Sequence, residues 1–272
     1  MSFRDKVAVV TGGASGMGRA LCLELGRRGA RVVVADINAE GAQDCAAQIT
    51  AAGGTARAVH TDVARQEQVQ ALIDGTVSEH GRLDFLFNNA GILVAGEMRD
   101  MNLSHWRRII DVNLWGVIHG CMAAYPVMLK QGFGHIVNTA SPNGMVPVPA
   151  LSAYCATKHA VIGLSATLAA EAADFGIKVS TVCPGYTRSG IFASAVLLNA
   201  SLRDYLALVP FQAMMPDYAA REILKGVARN QRTILFPLHA RLLCSLQRWC
   251  PALLAAFNKN YLKQFRAIRR EA

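Results

Sequence analysis

"VAVVTGGASGMG", residues 7–18, runs from an apolar strand pattern through a glycine-bearing turn into a helical pattern. Glycines at 12, 16 and 18 let the backbone turn sharply and approach a ligand closely. The helix that follows presents free N–H groups and the positive end of its dipole at the same place, which favours a pyrophosphate. The spacing G-xxx-G-x-G differs from the commonest dinucleotide fingerprint, G-x-G-x-x-G, but the physics is shared. A glycine-rich turn by itself decides little; one that follows a strand near the N-terminus decides more.

The same alternation continues outward from this stretch. "RVVVAD" (31–36), "ARAVHTD" (56–62), "LDFLFNNAG" (83–91), "GHIVNTAS" (134–141), "IKVSTVCPG" (177–185) and "TILFP" (233–237) read as strands. Helical patterns lie near 16–29, 39–52, 66–80, 102–130 and 153–175. Strands with so few alternating polar residues are buried on both faces. Right-handed crossovers then predict an α/β fold, a Rossmann-like doubly wound parallel sheet of about seven strands. Residues 1–240 are expected to form this one domain, and 241–272 a basic, amphipathic helical extension. Ligands of such sheets bind outside the carboxyl ends of the strands. "TGGASGMG", "AD", "TDV", "NNAG", "TAS" and "PG" all fall there. The segment 189–216 is long, apolar and methionine-bearing, and reads as a partly helical lid or substrate loop.

At 272 residues and 52% apolar, the chain can bury one large core. The stretch nearest to a membrane span, Val112 to Leu129, is interrupted by Asn113, His119 and Pro126, so no span is expected. The N-terminus has too few apolar residues for a signal peptide. Seven cysteines without a CxxC pair predict free thiols in a reducing, cytoplasmic setting. The seven histidines have no metal-ligand spacing, His159 reads as packing or surface, and no metal is expected. The net charge of +9 is uneven: residues 1–224 balance 18 basic against 18 acidic side chains, whereas 225–272 hold ten basic residues and one acid, Glu271. A neutral body without a nucleic-acid motif argues against a DNA or RNA partner.

Several strand-end residues have cofactor chemistry. Asp36 can accept hydrogen bonds from both adenosine ribose hydroxyls and repels a 2′-phosphate. Ile37 and Asn38 follow it, and Ala14 and Ser15 offer no cation, so NAD is expected over NADP. Its other reading is a helix N-cap, which Asn38 supplies equally well. Asp62 either holds the adenine amino group, with Val63 against the ring, or caps the helix at 66; both readings stand. "NNAG" (88–91) suits close backbone approach to a ribose. "YCATK" (154–158) sets a phenol and an ammonium on one helical face.

In this order and spacing, TGxxxGxG at 11–18, "NNAG", "VNLWG" with Asn113, Ser141, "YCATK" and "PG" (184–185) resemble the short-chain dehydrogenases/reductases over roughly residues 5–240. The resemblance implies a catalytic set of Asn113, Ser141, Tyr154 and Lys158. Tyr154 would be the base when an alcohol is oxidised and the acid when a carbonyl is reduced. A free phenol has a pKa of about 10, and lowering it by two to three units takes roughly 3–4 kcal/mol. Lys158, helped by the positive nicotinamide, is expected to supply that, and also to bind the nicotinamide ribose. Ser141 would fix the substrate oxygen, and Asn113 would hold a water linking Lys158 to solvent. Cofactor contacts are implied for Gly12, Ser15, Gly16, Met17, Gly18, Asp36, Ile37, Asp62, Val63, Asn89, Ala90, Gly91, Tyr154, Lys158, Pro184 and Gly185. Thr187 and Ser189 join them although "CPGYTRSG" departs from the family's PGxVxT. The resemblance also implies a homodimer or homotetramer.

Expected pocket walls at 92–97, 142–151 and 186–216 are apolar, among them Met145, Val196, Leu197, Met214 and Met215. They point to an oxidoreductase acting on a hydrophobic secondary alcohol or ketone. The alternative is a non-catalytic, dinucleotide-binding regulatory protein on the same fold. In the extension, Leu254, Phe257, Tyr261, Phe265 and Ile268 share one side of a helical wheel, opposite Lys259, Lys263, Arg266 and Arg270. That pattern predicts packing on the body or a second subunit, or else peripheral membrane contact through 252–270.

Overall fold

Val7–Thr11 (β1) is buried along its whole length, because Ala8 and Val10 face one layer of helices and Val9 faces another. Its parallel neighbours are Arg31–Asp36 (β2) on one side and Phe85–Asn88 (β4) on the other. Thr55–His60 (β3) pairs with β2, and Gly134–Thr139 (β6), Ile177–Pro184 (β7) and Thr233–Phe236 (β9) follow β4. The resulting seven-stranded parallel sheet has the order β3-β2-β1-β4-β6-β7-β9. Two short strands, Val94–Ala95 (β5) and Val196–Leu197 (β8), make a separate parallel ladder. The computed structural model describes residues 2–192 and 194–269. Arg270 and Glu271, counted in the wheel and the charge balance, lie outside the described residues.

Gly16–Arg27 (α1), Ala39–Ala51 (α2) and a helix farther along the chain cover one face of the sheet; Gln66–His80 (α3) covers part of the other. The expected helix at 102–130 is Leu103–Ile110 (α4) and Gly116–Gln131 (α5), joined by a π-helical turn at Asp111–Trp115. Read continuously, Leu103–Gln131 contains an 18-residue window of mean hydropathy 1.3, so it is long and apolar enough to cross a membrane by length and composition, although the sequence predicts no span. In the fold it lies against the sheet, burying Val117, Ala124 and Met128. Ser152–Glu171 (α6) completes that layer. The segment 189–216 is partly helical as expected, carrying β8 and Leu202–Ala207 (α7).

Two features were absent from the sequence reading. Pro216–Ala228 (α8) is the third helix of the first face, with Ala219, Ala220, Ile223, Leu224 and Val227 buried against α1 and the sheet. Its apolar positions recur at helical spacing, but the methionine-rich run before it hid its start. The extension begins at Leu238 rather than 241, and is two helices, Leu238–Trp249 (α9) and Pro251–Ala267 (α10), divided at Cys250.

His135, at the start of β6, is 1% exposed. Its Nε2 lies 2.8 Å from Ser180 Oγ, whose own hydrogen goes to the Gln231 carbonyl at 2.7 Å. Nε2 therefore donates, and Nδ1 is buried without a partner. Burial, with Lys178 nearby, holds this imidazole down at about 3. An unfolded histidine takes up a proton near pH 6.5 that the native one refuses. Stability from this group is thus complete above pH 6.5 and is lost as pH falls towards 3, on the order of 5 kcal/mol in all. Urea unfolding below pH 6.5 should show a shallower pH dependence for His135→Gln than for the parent; identical slopes would contradict this assignment.

Candidate active site

The dinucleotide cradle is built by stitching two strand tips together. Thr11 Oγ1 accepts from the Asn89 and Ala90 N–H groups at 3.0 and 3.1 Å, and Asn89 Nδ2 donates to the Thr11 carbonyl at 2.9 Å. Gly12, at φ +67°, then lies so close to Ala90 that a Cβ would come within 2.9 Å of its Cα. A Cβ at Gly18 would overlap the Gly12 carbonyl oxygen. This is a concave backbone surface that side chains would fill, and it fits a pyrophosphate at the start of α1.

Asp36 is no helix cap. Its Oδ2 accepts from the Ala14 N–H and its Oδ1 from that of Asn38, both at 2.9 Å, while Asn38 itself caps α2 through Gly41. Asp62 does not cap α3 either: Oδ1 accepts from the Ala64 N–H at 3.0 Å, and α3 begins after Arg65. Both carboxylates border the same cleft of about 1130 Å³. So do Gly12, Ser15, Met17, Gly18, Ile37, Val63, Asn89, Ala90, Gly91, Tyr154, Lys158, Pro184, Gly185, Thr187 and Ser189. Gly16 and Asn113 do not. Gly16, at φ +51°, instead admits the 189–190 loop, where a Cβ would be 2.8 Å from the Gly190 nitrogen. Thr187 turns its hydroxyl back to the Gly185 carbonyl at 3.0 Å, leaving its main chain bridged to Met214.

At the end of β6 the cleft meets the start of α6. Lys158 Nζ is buried, donates to the Thr139 carbonyl at 2.9 Å and lies 5.7 Å from the centre of the Tyr154 ring. The Ser141 hydroxyl lies near enough to the phenol to favour its phenolate. The turn Pro142–Gly144 is locked onto α6 by His159, whose Nδ1 donates to the Gly144 carbonyl at 2.7 Å. That bond fixes the distance between Ser141 and Tyr154. The sequence led us to expect a phenol made acidic by Lys158. In the polypeptide, burial dominates: it pushes Tyr154 up to about 12, against the Ser141 hydroxyl, and pushes Lys158 down to about 8. Lys158 still carries its charge at neutral pH. Asn113, fully buried in the π turn, exchanges two hydrogen bonds with the Ile92 main chain, at 2.8 and 2.9 Å. Its side chain ties the "NNAG" exit to α4, so a water for Lys158 would fall to other atoms.

The other half of the cleft is apolar, and the extension closes it. Leu254, Phe257, Asn258 and Tyr261 of α10 and His239 and Leu243 of α9 line it together with Val146, Val148, Leu151, Ile191, Phe192 and Phe211. Tyr205 of α7 and Tyr261 are hydrogen-bonded to each other, and burial pushes both phenols up. Leu254, Tyr261 and Phe265 are buried on the body, and Ile268 is half-buried. The wheel stripe was legible in the sequence; its role as a cleft wall was not. Of the expected walls, Met145, Pro147, Val196, Leu197, Leu198, Met214 and Met215 lie outside the cleft, because β8 is engaged by β5 and Met214 by Thr187. An ionic clamp holds α10 in place. Glu97 pairs with Arg266 at 2.7 Å and Arg99 at 2.6 Å, and Arg269 bonds Asp100. The Arg266 and Arg99 guanidinium groups hold the Glu97 carboxyl below its ordinary range. Among the described residues, no cluster of three His, Cys, Asp or Glu side chains could hold a metal ion.

Comparison with known proteins agrees with this geometry. The profile of the short chain dehydrogenase family matches residues 6–197, and the chain belongs to that family of oxidoreductases. It is 42% identical over 194 residues to a cyclohexanol dehydrogenase of Acinetobacter sp. (strain SE19), covering 70% of this chain and 76% of that one. It is 41% identical over 179 residues to a D-threitol dehydrogenase of Mycolicibacterium smegmatis, covering 66% and 69%. A crystal structure of a short chain dehydrogenase/reductase from Burkholderia phymatum in complex with NAD superposes with a TM-score of 0.86 at 30% identity, covering 93% and 96% of the two chains.

The clamp has a measurable consequence. Glu97→Gln should speed amide hydrogen exchange across 252–269 while leaving β1 and β4 protected; unchanged exchange in α10 would mean that its apolar stripe alone holds it.

Proposed function

We propose that this enzyme interconverts a hydrophobic secondary alcohol and its ketone using NAD(H), with Tyr154 as the proton-exchanging group. The observation that carries the reading is the junction of Tyr154, Ser141 and Lys158 with an apolar half-cleft walled by α10. The bound nicotinamide dinucleotide supplies the hydride acceptor or donor. Ser141 orients the substrate oxygen towards the phenol hydroxyl, which takes the alcohol proton or returns one to the carbonyl oxygen. Lys158, held by Thr139, keeps a positive charge beside the phenol and favours the phenolate. A single carboxylate at Asp36, with no cation in the glycine turn, supports NAD over NADP. The relative from Burkholderia phymatum was crystallised with NAD.

Relatives of nearly equal identity are named for a cyclic alcohol and a tetritol. The shared core therefore does not choose the substrate. Here the choice falls to Tyr205, Phe257 and Tyr261, whose apolar bodies favour a bulky, weakly polar alcohol. The regulatory reading loses ground to Ser141, Tyr154 and Lys158, which meet at the cleft. We further place the enzyme in a reducing, cytoplasmic setting, on its unpaired thiols, and expect a dimer through α5 and α6, where Trp115 and Met122 are exposed.

The test is a panel of apolar secondary alcohols and polyols assayed with NAD and with NADP. Apolar alcohols with NAD should give the highest kcat/KM, and Tyr154→Phe should lower kcat by roughly 10²–10⁴-fold with dinucleotide binding retained. Preference for polyols would overturn the substrate class. Full activity in the variant would overturn the mechanism.

A further inference from the structure

The extension has a second apolar surface, which shares only Phe257 with the stripe that walls the cleft. On α9, Leu238, Leu242 and Trp249 fall within about 40° of one another at 100° per residue, and all are exposed, Trp249 by 77%. Just past the Cys250–Pro251 junction, Leu253 and Phe257 stand one turn apart, 62% and 46% exposed. The outward side of α10 is otherwise alanine, with Ala256 between the apolar pair and the cations and Ala252 and Ala255, also exposed, among and beyond them. Phe257 also borders the cleft, so the α10 part of this surface reaches the cleft.

The charge carried by the extension itself has one sign. Residues 225–269 include nine lysines and arginines and no acidic residue. Arg248, Lys259 and Lys263 are exposed and make no ion pair among the described residues. Arg248 lies over the Trp249 ring at 5.5 Å. A two-fold contact with another copy through this face would set like charges against each other. An anionic lipid surface meets both requirements at once: the headgroups attract the cations, and the indole and leucines enter the boundary of the acyl region.

We propose that the outer face of the α9–α10 corner docks on an anionic membrane surface, bringing the cleft mouth to the bilayer. The long lysine stems lie along the alanine face with their ammonium groups at the headgroups. Of the stripe expected from the wheel only Phe257 takes part, because Leu254, Tyr261 and Phe265 are already buried in the protein.

Flotation of the full chain with vesicles reads this directly and does not depend on the substrate. The parent should float with mixed phosphatidylcholine/phosphatidylglycerol vesicles, far less with phosphatidylcholine alone, and less as salt is raised. Charge reversal at Arg248 and Lys259 should weaken binding roughly fivefold or more per cation. Leu242→Ser combined with Trp249→Ser should abolish flotation, with the thermal melt and dinucleotide binding unchanged. A parent that stays in the soluble fraction, or a folded double variant that floats as well as the parent, would overturn the proposal. So would a dimer that needs Leu242 and Trp249 in a protein that binds no vesicle, since that would give the face to a second copy.

Discussion

The site depends on a lysine ammonium buried where few charges are tolerated. Lys158 is 2% exposed and holds to one main-chain carbonyl, that of Thr139 at the tip of β6. Burial pulls it from its ordinary 10.5 to about 8, a differential cost of about 3 kcal/mol. Its location explains the surrounding architecture. Gly91 leaves room for both Nζ and the Asn113 side chain, and Gly144 lets α6 lie directly on the Pro142–Gly144 turn. His159 then bolts that turn to α6, so the serine, phenol and ammonium move as one body. His159 acts here through position rather than chemistry.

The cradle on the other side of the cleft follows the same logic of backbone contact. β1 sits between β2 and β4, and the chain leaves the two ends of the sheet in opposite directions from it. That is the crevice in which doubly wound sheets bind ligands. Thr11 and Asn89 close the crevice floor with hydrogen bonds, and Gly12 and Gly18 keep the backbone there free of side chains. The buried amides Asn88 and Asn138, bonded to each other at 2.9 Å, carry this order to α6 through Ser165 at 3.0 Å. A polar network of this kind, fully satisfied, sets the relative height of the strand tips.

The central strands were legible in the sequence because both their faces are apolar, and the expected ends of all seven lie within a few residues of those observed. The cofactor residues were legible because strand ends concentrate glycine, asparagine and aspartate. Three things were hidden. α8 was masked by an apolar run that gave no start signal. Asn113 looked like a polar residue on a helix, and nothing local announces that a π turn will bury it against Ile92. The stripe at 254, 261 and 265 was visible as a stripe, but a wheel shows that a face is covered and never what covers it. Its partner, a cleft assembled from segments more than a hundred residues away, exists only in three dimensions. Proximity of Tyr154 to Lys158 can be read from i and i+4, whereas the burial that raises the phenol in the polypeptide cannot.

For Tyr154 to exchange the proton as proposed, the Lys158 charge must bring its phenolate within reach of physiological pH despite burial. The pH dependence of kcat/KM for alcohol oxidation, compared between the parent and Lys158→Met at saturating dinucleotide, tests it most directly. The account predicts that the rising limb moves upward by at least about one pH unit in the variant, roughly 1.4 kcal/mol of lost phenolate stabilisation. A variant that is slower but keeps the parent's limb at the same pH would contradict it.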